Sequence, residues 1–150
     1  MSWKQFGHDH NANSNKSYDI LNPYHRNSFN WRNILDALDI ARHIVDVVED
    51  HKAEDIVLLD LRPDTVIADF FVIATGTSDR QLRALTDYVR EDVKEKMSLL
   101  PYAIEGKPHS GWVLLDYGTV VVHLFSEDQR AYFDIEGLWS NVANVLLSIQ

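Results

Sequence analysis

No cysteine occurs among the 150 residues, so disulfide staples, thiolate nucleophiles and Cys-ligated zinc or iron–sulfur clusters are excluded together. Long apolar runs are missing as well. No stretch approaches the roughly 20 residues of a membrane span, and Met1-Ser2-Trp3-Lys4-Gln5 lacks the apolar segment of a signal peptide. A soluble, unprocessed, cytoplasmic protein with no membrane partner is expected. Basic side chains are scarce too, 14 against 23 acidic ones, for a net charge of -9. Residues 1–30 hold three basic and two acidic groups, which leaves the remainder with 11 against 21 and a net of -10. Phosphate backbones repel such a surface, so little direct nucleic-acid contact is expected, and a basic protein partner fits better.

What is present is the composition of a folded domain, 45% hydrophobic and 25% charged, in a chain of single-domain length. The first 30 residues, with six Asn and three His, keep no period of 2 or 3.6. They read as a flexible extension ahead of a domain over 31–150. His8-Asp9-His10 lacks an organised third ligand, and no metal is expected there. The spacing of Ile34, Leu38, Ala41, Val45 and Val48 predicts an amphipathic helix from Trp31 to about Asp50. Asp55 to Leu61 and Phe70 to Thr75 read as buried strands. Ser78-Asp79-Arg80-Gln81 has a capping-box pattern and predicts a helix with Leu82, Leu85, Val89 and Val93 as its buried stripe, running out near Met97. A crossover of that length carries the chain to a parallel strand.

A short strand near Ala103 to Glu105 precedes the Gly106-Lys107-Pro108 loop. Gly111 to Tyr117 and Val120 to Phe125 then flank Gly118-Thr119, and Gly at the first central position suits a type II′ hairpin. That turn pairs Tyr117 with Val120, Leu115 with Val122 and Val113 with Leu124 on one apolar face directed to the core. The other face carries Trp112, Leu114, Asp116, Val121, His123 and Phe125, with Asp116 opposite Val121 and diagonal to His123. Ser126-Glu127-Asp128-Gln129 repeats the capping pattern, and Ile135, Leu138, Val142, Val145 and Ile149 predict a last amphipathic helix. These elements describe an α/β (α+β) single domain, a mixed sheet of about five strands with flanking helices.

Gly76-Thr77-Ser78, between a strand and a helix, offers amides and a positive helix end that suit an anion. A nucleotide-binding or nucleotidyltransferase-type enzyme is therefore the rival reading. It needs neighbouring carboxylates for magnesium, yet no Asp-x-Asp or Asp-x-Glu lies on a predicted strand. Asp134-Ile135-Glu136 begins a helix, where positions two apart diverge. Ser78 lacks the second glycine of a hydrolase elbow, since Arg80 stands two residues on. Asp116 and His123, without a nucleophile or metal, read as a hydrogen-bonded pair. No catalytic residue and no cofactor are expected. Trp112 keeps two readings, a core residue under a helix or an aromatic anchor among acidic groups at an interface.

Three stretches carry a resemblance: Ala68 through Gln81, Gly111 through Gly118 with Val121 through Phe125, and Arg130 through Trp139. Together they closely resemble the ribosomal silencing factor family, also called Iojap or RsfS, over about residues 33–148. The resemblance implies a nucleotidyltransferase-like sheet without the catalytic carboxylates, and a protein that is not an enzyme. It implies binding to the large ribosomal subunit through its protein number fourteen, steric blocking of subunit joining, and repressed translation under nutrient limitation. Carried over by motif, the contact surface falls on Glu105, Gly106, Trp112 and Asp116, with His123 beside them by register. Asp69, Gly76, Ser78 and Arg80 are expected to shape the strand-to-helix turn. Phe133 stands where relatives usually carry Tyr, with Tyr132 just before it, and Gly137 stands where a charged residue is usual. Gly137 is expected to weaken the last helix by up to about 1 kcal/mol relative to Ala. The exposed aromatic face also permits a homodimer of the free protein.

Overall fold

The computed structural model describes residues 23–150, and side chains from residue 37 onward. The chain divides into two units, Met1–Leu35 and Asp36–Gln150. Helix α1 spans Pro23–Asp50 and so starts ahead of Trp31, inside the stretch expected to be irregular. Pro at a first helical position has its φ already set for the helix and gives up only an amide that has no intrahelical partner. His8-Asp9-His10 and the rest of 1–22 lie outside the described residues.

In the second unit, α1 is followed by β1 (Glu54–Asp60), β2 (Phe70–Thr75), α2 (Asp79–Met97) and β3 (Ala103–Glu105). A 3-10 turn (Pro108–Ser110), β4 (Trp112–Asp116), β5 (Val120–Phe125), α3 (Glu127–Phe133), α4 (Ile135–Leu138) and β6 (Asn144–Ile149) complete it. The six strands run in the order β3-β4-β5-β2-β1-β6. β2 and β5 pair in parallel, and the other described pairs are antiparallel. α2 accordingly carries the chain from β2 to β3, which runs in the same direction. β2 and β5 sit in the middle of the sheet and every residue of both is buried, which suits their apolar composition.

Each face of the sheet has its own core. Ala37, Ala41, Ile44, Val45 and Val48 of α1 and Leu82, Leu85, Val89 and Val93 of α2 cover one face, against Ile56, Leu58, Phe70, Val72, Val113, Leu115, Val122 and Leu124. The stripe expected for α2 is the buried one. A smaller core on the other face joins Leu59, Leu61, Phe71, Ile73, Val121 and Phe125, with Trp112, Leu114, Ile135, Trp139 and Ala143 packed on it. The hairpin has the register that its turn dictates: Val113 faces Leu124, Leu115 faces Val122, and Asp116 faces Val121. Gly118 has a φ of +83°, and the Tyr102 ring lies so close that a Cβ there would sit 2.9 Å from it.

The last amphipathic helix does not form. Only Ile135–Leu138 is helical, and Asn144–Ile149 is instead a strand paired antiparallel with β1, Leu59 opposite Val145 and Leu58 opposite Leu147. A six-strand sheet therefore replaces the five expected. The physical reason is that a short apolar run has no decisive period of its own. The partner that selects the strand lies far back in the sequence, on the otherwise unpaired edge of β1.

Candidate partner-docking site

β4 alternates Trp112, Leu114 and Asp116 toward the smaller core and its surroundings, while Val113 and Leu115 enter the larger one. The start of β4 is framed by two turns. Gly106 has a φ of +79°, and its backbone passes so near that a Cβ would fall 2.1 Å from the Trp112 carbonyl oxygen. The 3-10 turn is anchored to α3, because Ser126 N donates to the Gly111 carbonyl at 2.8 Å while Ser126 Oγ caps α3 by accepting from Gln129 N at 3.3 Å.

These elements enclose a cavity of about 390 Å³ lined by Glu105, Gly106, Ser110, Trp112, Leu114, Gln129 and Phe133. The Trp112 ring stacks on Phe125 at 5.0 Å and meets Phe133 at 4.5 Å between centroids. Its Nε1 donates to His123 Nδ1 at 3.3 Å. Trp112 thus satisfies both of its sequence readings: one part of the ring is core, and the other is a cavity wall. Its single donor is already engaged, so what it offers a partner is an aromatic surface.

Of the five expected contact residues, Glu105, Gly106 and Trp112 come together in this cavity. Asp116 does not line it. It lies at the far end of β4, where one carboxylate oxygen accepts from Gly118 N at 2.7 Å and closes the hairpin turn. His123 is buried, 4% exposed, and touches the surface only through Trp112. Phe71 meets the His123 ring edge-on at 4.6 Å. Burial pushes the imidazole pKa down to about 4, because an apolar surrounding disfavours the cation. The expected Asp116–His123 hydrogen bond is replaced by Trp112–His123.

Phe133 and Leu114 are the cavity residues that sequence reasoning passed over as contacts. Phe133 stands on the first turns after β5, and the Ser126 cap forces α3 to begin beside Trp112, which faces Phe125. In place of a hydroxyl, Phe133 adds a second apolar wall. Arg130 is the other residue without an assigned role in the sequence. Its guanidinium donates to the Asp55 carbonyl and, at 2.8 Å, to Thr75 Oγ1, and pairs with Glu136 at 2.5 Å. It thereby ties α3 and α4 to β1 and β2.

The four residues expected at the strand-to-helix turn do not act together. Gly76 and Ser78 do shape it: Gly76 N donates to the Phe125 carbonyl at 2.8 Å, and Ser78 Oγ accepts from Gln81 N at 3.1 Å. Asp69 sits at the opposite end of β2, where its amide donates to the Thr119 carbonyl and desolvation raises its carboxyl pKa. Six strand residues separate the two ends, so proximity in the motif is not proximity in space. Arg80 is exposed on the first turn of α2 and makes no hydrogen bond or ion pair with the described residues. The cavity beside this turn is lined by Glu54, Asp79, Glu127 and Asp128 as well as Gly76–Ser78. Thr77 N is occupied by Gln81 Oε1 at 2.6 Å. Four carboxylates and an engaged amide suit a capped turn and oppose a phosphate.

A family model described as ribosomal silencing factor during starvation matches residues 35–149. The chain belongs to the ribosomal silencing factor family. It is 39% identical over 109 residues to the ribosomal silencing factor RsfS of Halalkalibacterium halodurans, spanning 73% of this chain and 92% of that one. It is 34% identical over 99 residues to the mouse mitochondrial assembly of ribosomal large subunit protein 1, spanning 65% of this chain and 43% of that one. Among solved structures, an X-ray structure of a Chromobacterium violaceum protein is similar at a TM-score of 0.63 and 36% identity, covering 71% of this chain and 86% of that chain. Family membership assigns a regulatory role in ribosome silencing.

Proposed function

We propose that this domain docks through the β4 face on the large ribosomal subunit, chiefly on its protein number fourteen. There it blocks joining of the small subunit by occupying space, and translation falls under nutrient limitation. No bond is made or broken in this reading. The observation that carries it is the cavity in which Trp112 is held by His123 and Phe125, walled by Phe133 and rimmed by Glu105. Rigid aromatic anchors in a partly desolvated pocket are where interface energy concentrates. Glu105 and the free carboxylate oxygen of Asp116 meet Lys or Arg of the partner, and the net charge of -9 steers the domain toward a basic protein and away from RNA. Gly106 lets the two strands approach at the rim, and His123 serves by positioning Trp112. The setting is the bacterial cytoplasm or an organelle with its own ribosomes.

Co-sedimentation with separated ribosomal subunits tests this reading. The protein is expected in the large-subunit pellet and absent from the small-subunit pellet at modest salt. Failure to pellet with large subunits overturns it.

A further inference from the structure

We propose that the free protein forms a dimer by antiparallel pairing of β6 with β6 of a second copy, continuing the sheet across a two-fold axis. The two edges of the sheet differ. β3 is three residues long and ends on Glu105, a short and charged edge of the kind that resists pairing. β6 is six residues long, Asn144-Val145-Leu146-Leu147-Ser148-Ile149, with no Lys, no Pro and no charge. Val145, Leu146 and Leu147 are 63%, 47% and 37% exposed, although they pair with or flank a buried strand. The ladder to β1 has one irregularity, where Leu146 is left without a partner between Leu58 and Leu59.

The electrostatics favour a second copy as the occupant. A chain of net charge -9 repels itself wherever acids face acids, and the β6 edge avoids this. Asp60, opposite Asn144 on β1, is paired with Arg62 at 2.8 Å. Glu136, which lines a cavity of about 280 Å³ with Val57, Leu59 and Val145, is paired with Arg130. A neutral edge offers nothing to a basic partner. Antiparallel strands about a dyad, by contrast, supply each other's donors and acceptors from one sequence. The aromatic face, where the sequence first suggested self-association, stays free in this arrangement.

Sedimentation equilibrium of the full chain, from micromolar to millimolar concentration, tests the proposal. The mass is expected to double with concentration for the parent and to stay that of one chain for Leu146→Lys and Val145→Lys. A parent that is monomeric throughout, or a dimer that survives both variants, overturns it. Should either variant lose its far-UV spectrum, amide exchange of the parent decides. β6 amides that gain protection as concentration rises support the proposal, and β6 amides that exchange at the same rate while the mass doubles overturn it.

Discussion

The indole of Trp112 on β4 donates to the imidazole of His123 on β5 across 3.3 Å, joining a half-exposed residue to a buried one. The acceptor is Nδ1, so the ring proton is on Nε2, which is buried without a hydrogen-bond partner. That geometry requires a neutral imidazole. A protonated Nδ1 could no longer accept from the indole, and the cation would be stranded among Phe71, Trp112 and Phe125.

The first prediction follows from that pair. The folded pKa of His123, about 4, lies below the ordinary value of 6.5, so the unfolded chain binds the extra proton first. Its contribution to stability is fully present above pH 6.5 and is lost as pH falls toward 4, at a cost of roughly 3 kcal/mol. Asp60, lowered by its hydrogen bond to Arg62, acts in a separate window below the ordinary carboxylate pKa. Urea unfolding at pH 7 and at pH 4.5 measures the difference. His123→Gln, which keeps an acceptor but does not titrate, is expected to flatten the profile between those values.

Gly106 carries the second. With φ at +79° and a Cβ position 2.1 Å from the Trp112 carbonyl, Gly106→Ala strains the backbone and pushes β4 away. A loss of about 1–3 kcal/mol in chemical denaturation is expected, with weaker subunit binding as its consequence. An unchanged unfolding midpoint contradicts the close approach.

Gly137 reverses what helix propensity suggests. Alanine is worth about 1 kcal/mol over glycine inside a helix. Here the added Cβ would fall 2.0 Å from an Asp134 carboxylate oxygen, and that carboxylate caps α4 by accepting from Gly137 N at 3.1 Å. Losing the cap costs about 1 kcal/mol, so Gly137→Ala is expected to bring no net gain. A double-mutant cycle with Asp134→Ala checks it, and strictly additive effects contradict it.

Arg130 gives the fourth. Its guanidinium is largely buried and satisfies the Asp55 carbonyl, Thr75 Oγ1 and Glu136 at once. Lys has neither the planar fork nor the donors for all three. Arg130→Lys is expected to destabilise by about 2 kcal/mol, read as a lower melting temperature.

How far these features were legible differs by element. The hairpin register and the α2 cap could be read because their determinants are local: Gly118 selects the turn, and Ser78 satisfies Gln81 N. β6 was not legible, since Val145 and Leu147 fit either period and the partners that decide are Leu58 and Leu59, far back in the chain. At the site, alternation along β4 put Trp112 and His123 on one face, but pattern does not say what covers a face. Trp139 and Phe71 do, and they bury His123 while leaving Trp112 half open. Asp69 and Gly76 share a motif yet lie at opposite ends of β2, which only a known strand length reveals.

Light scattering of subunit joining tests the central claim most directly. Parent protein, added to large subunits before small ones, is expected to suppress the rise in scattering. Trp112→Ala, with an unchanged far-UV spectrum, is expected to need roughly 30-fold more protein for the same block, the loss of one interface hot spot. Suppression by Trp112→Ala at the parent's concentration contradicts docking through this face.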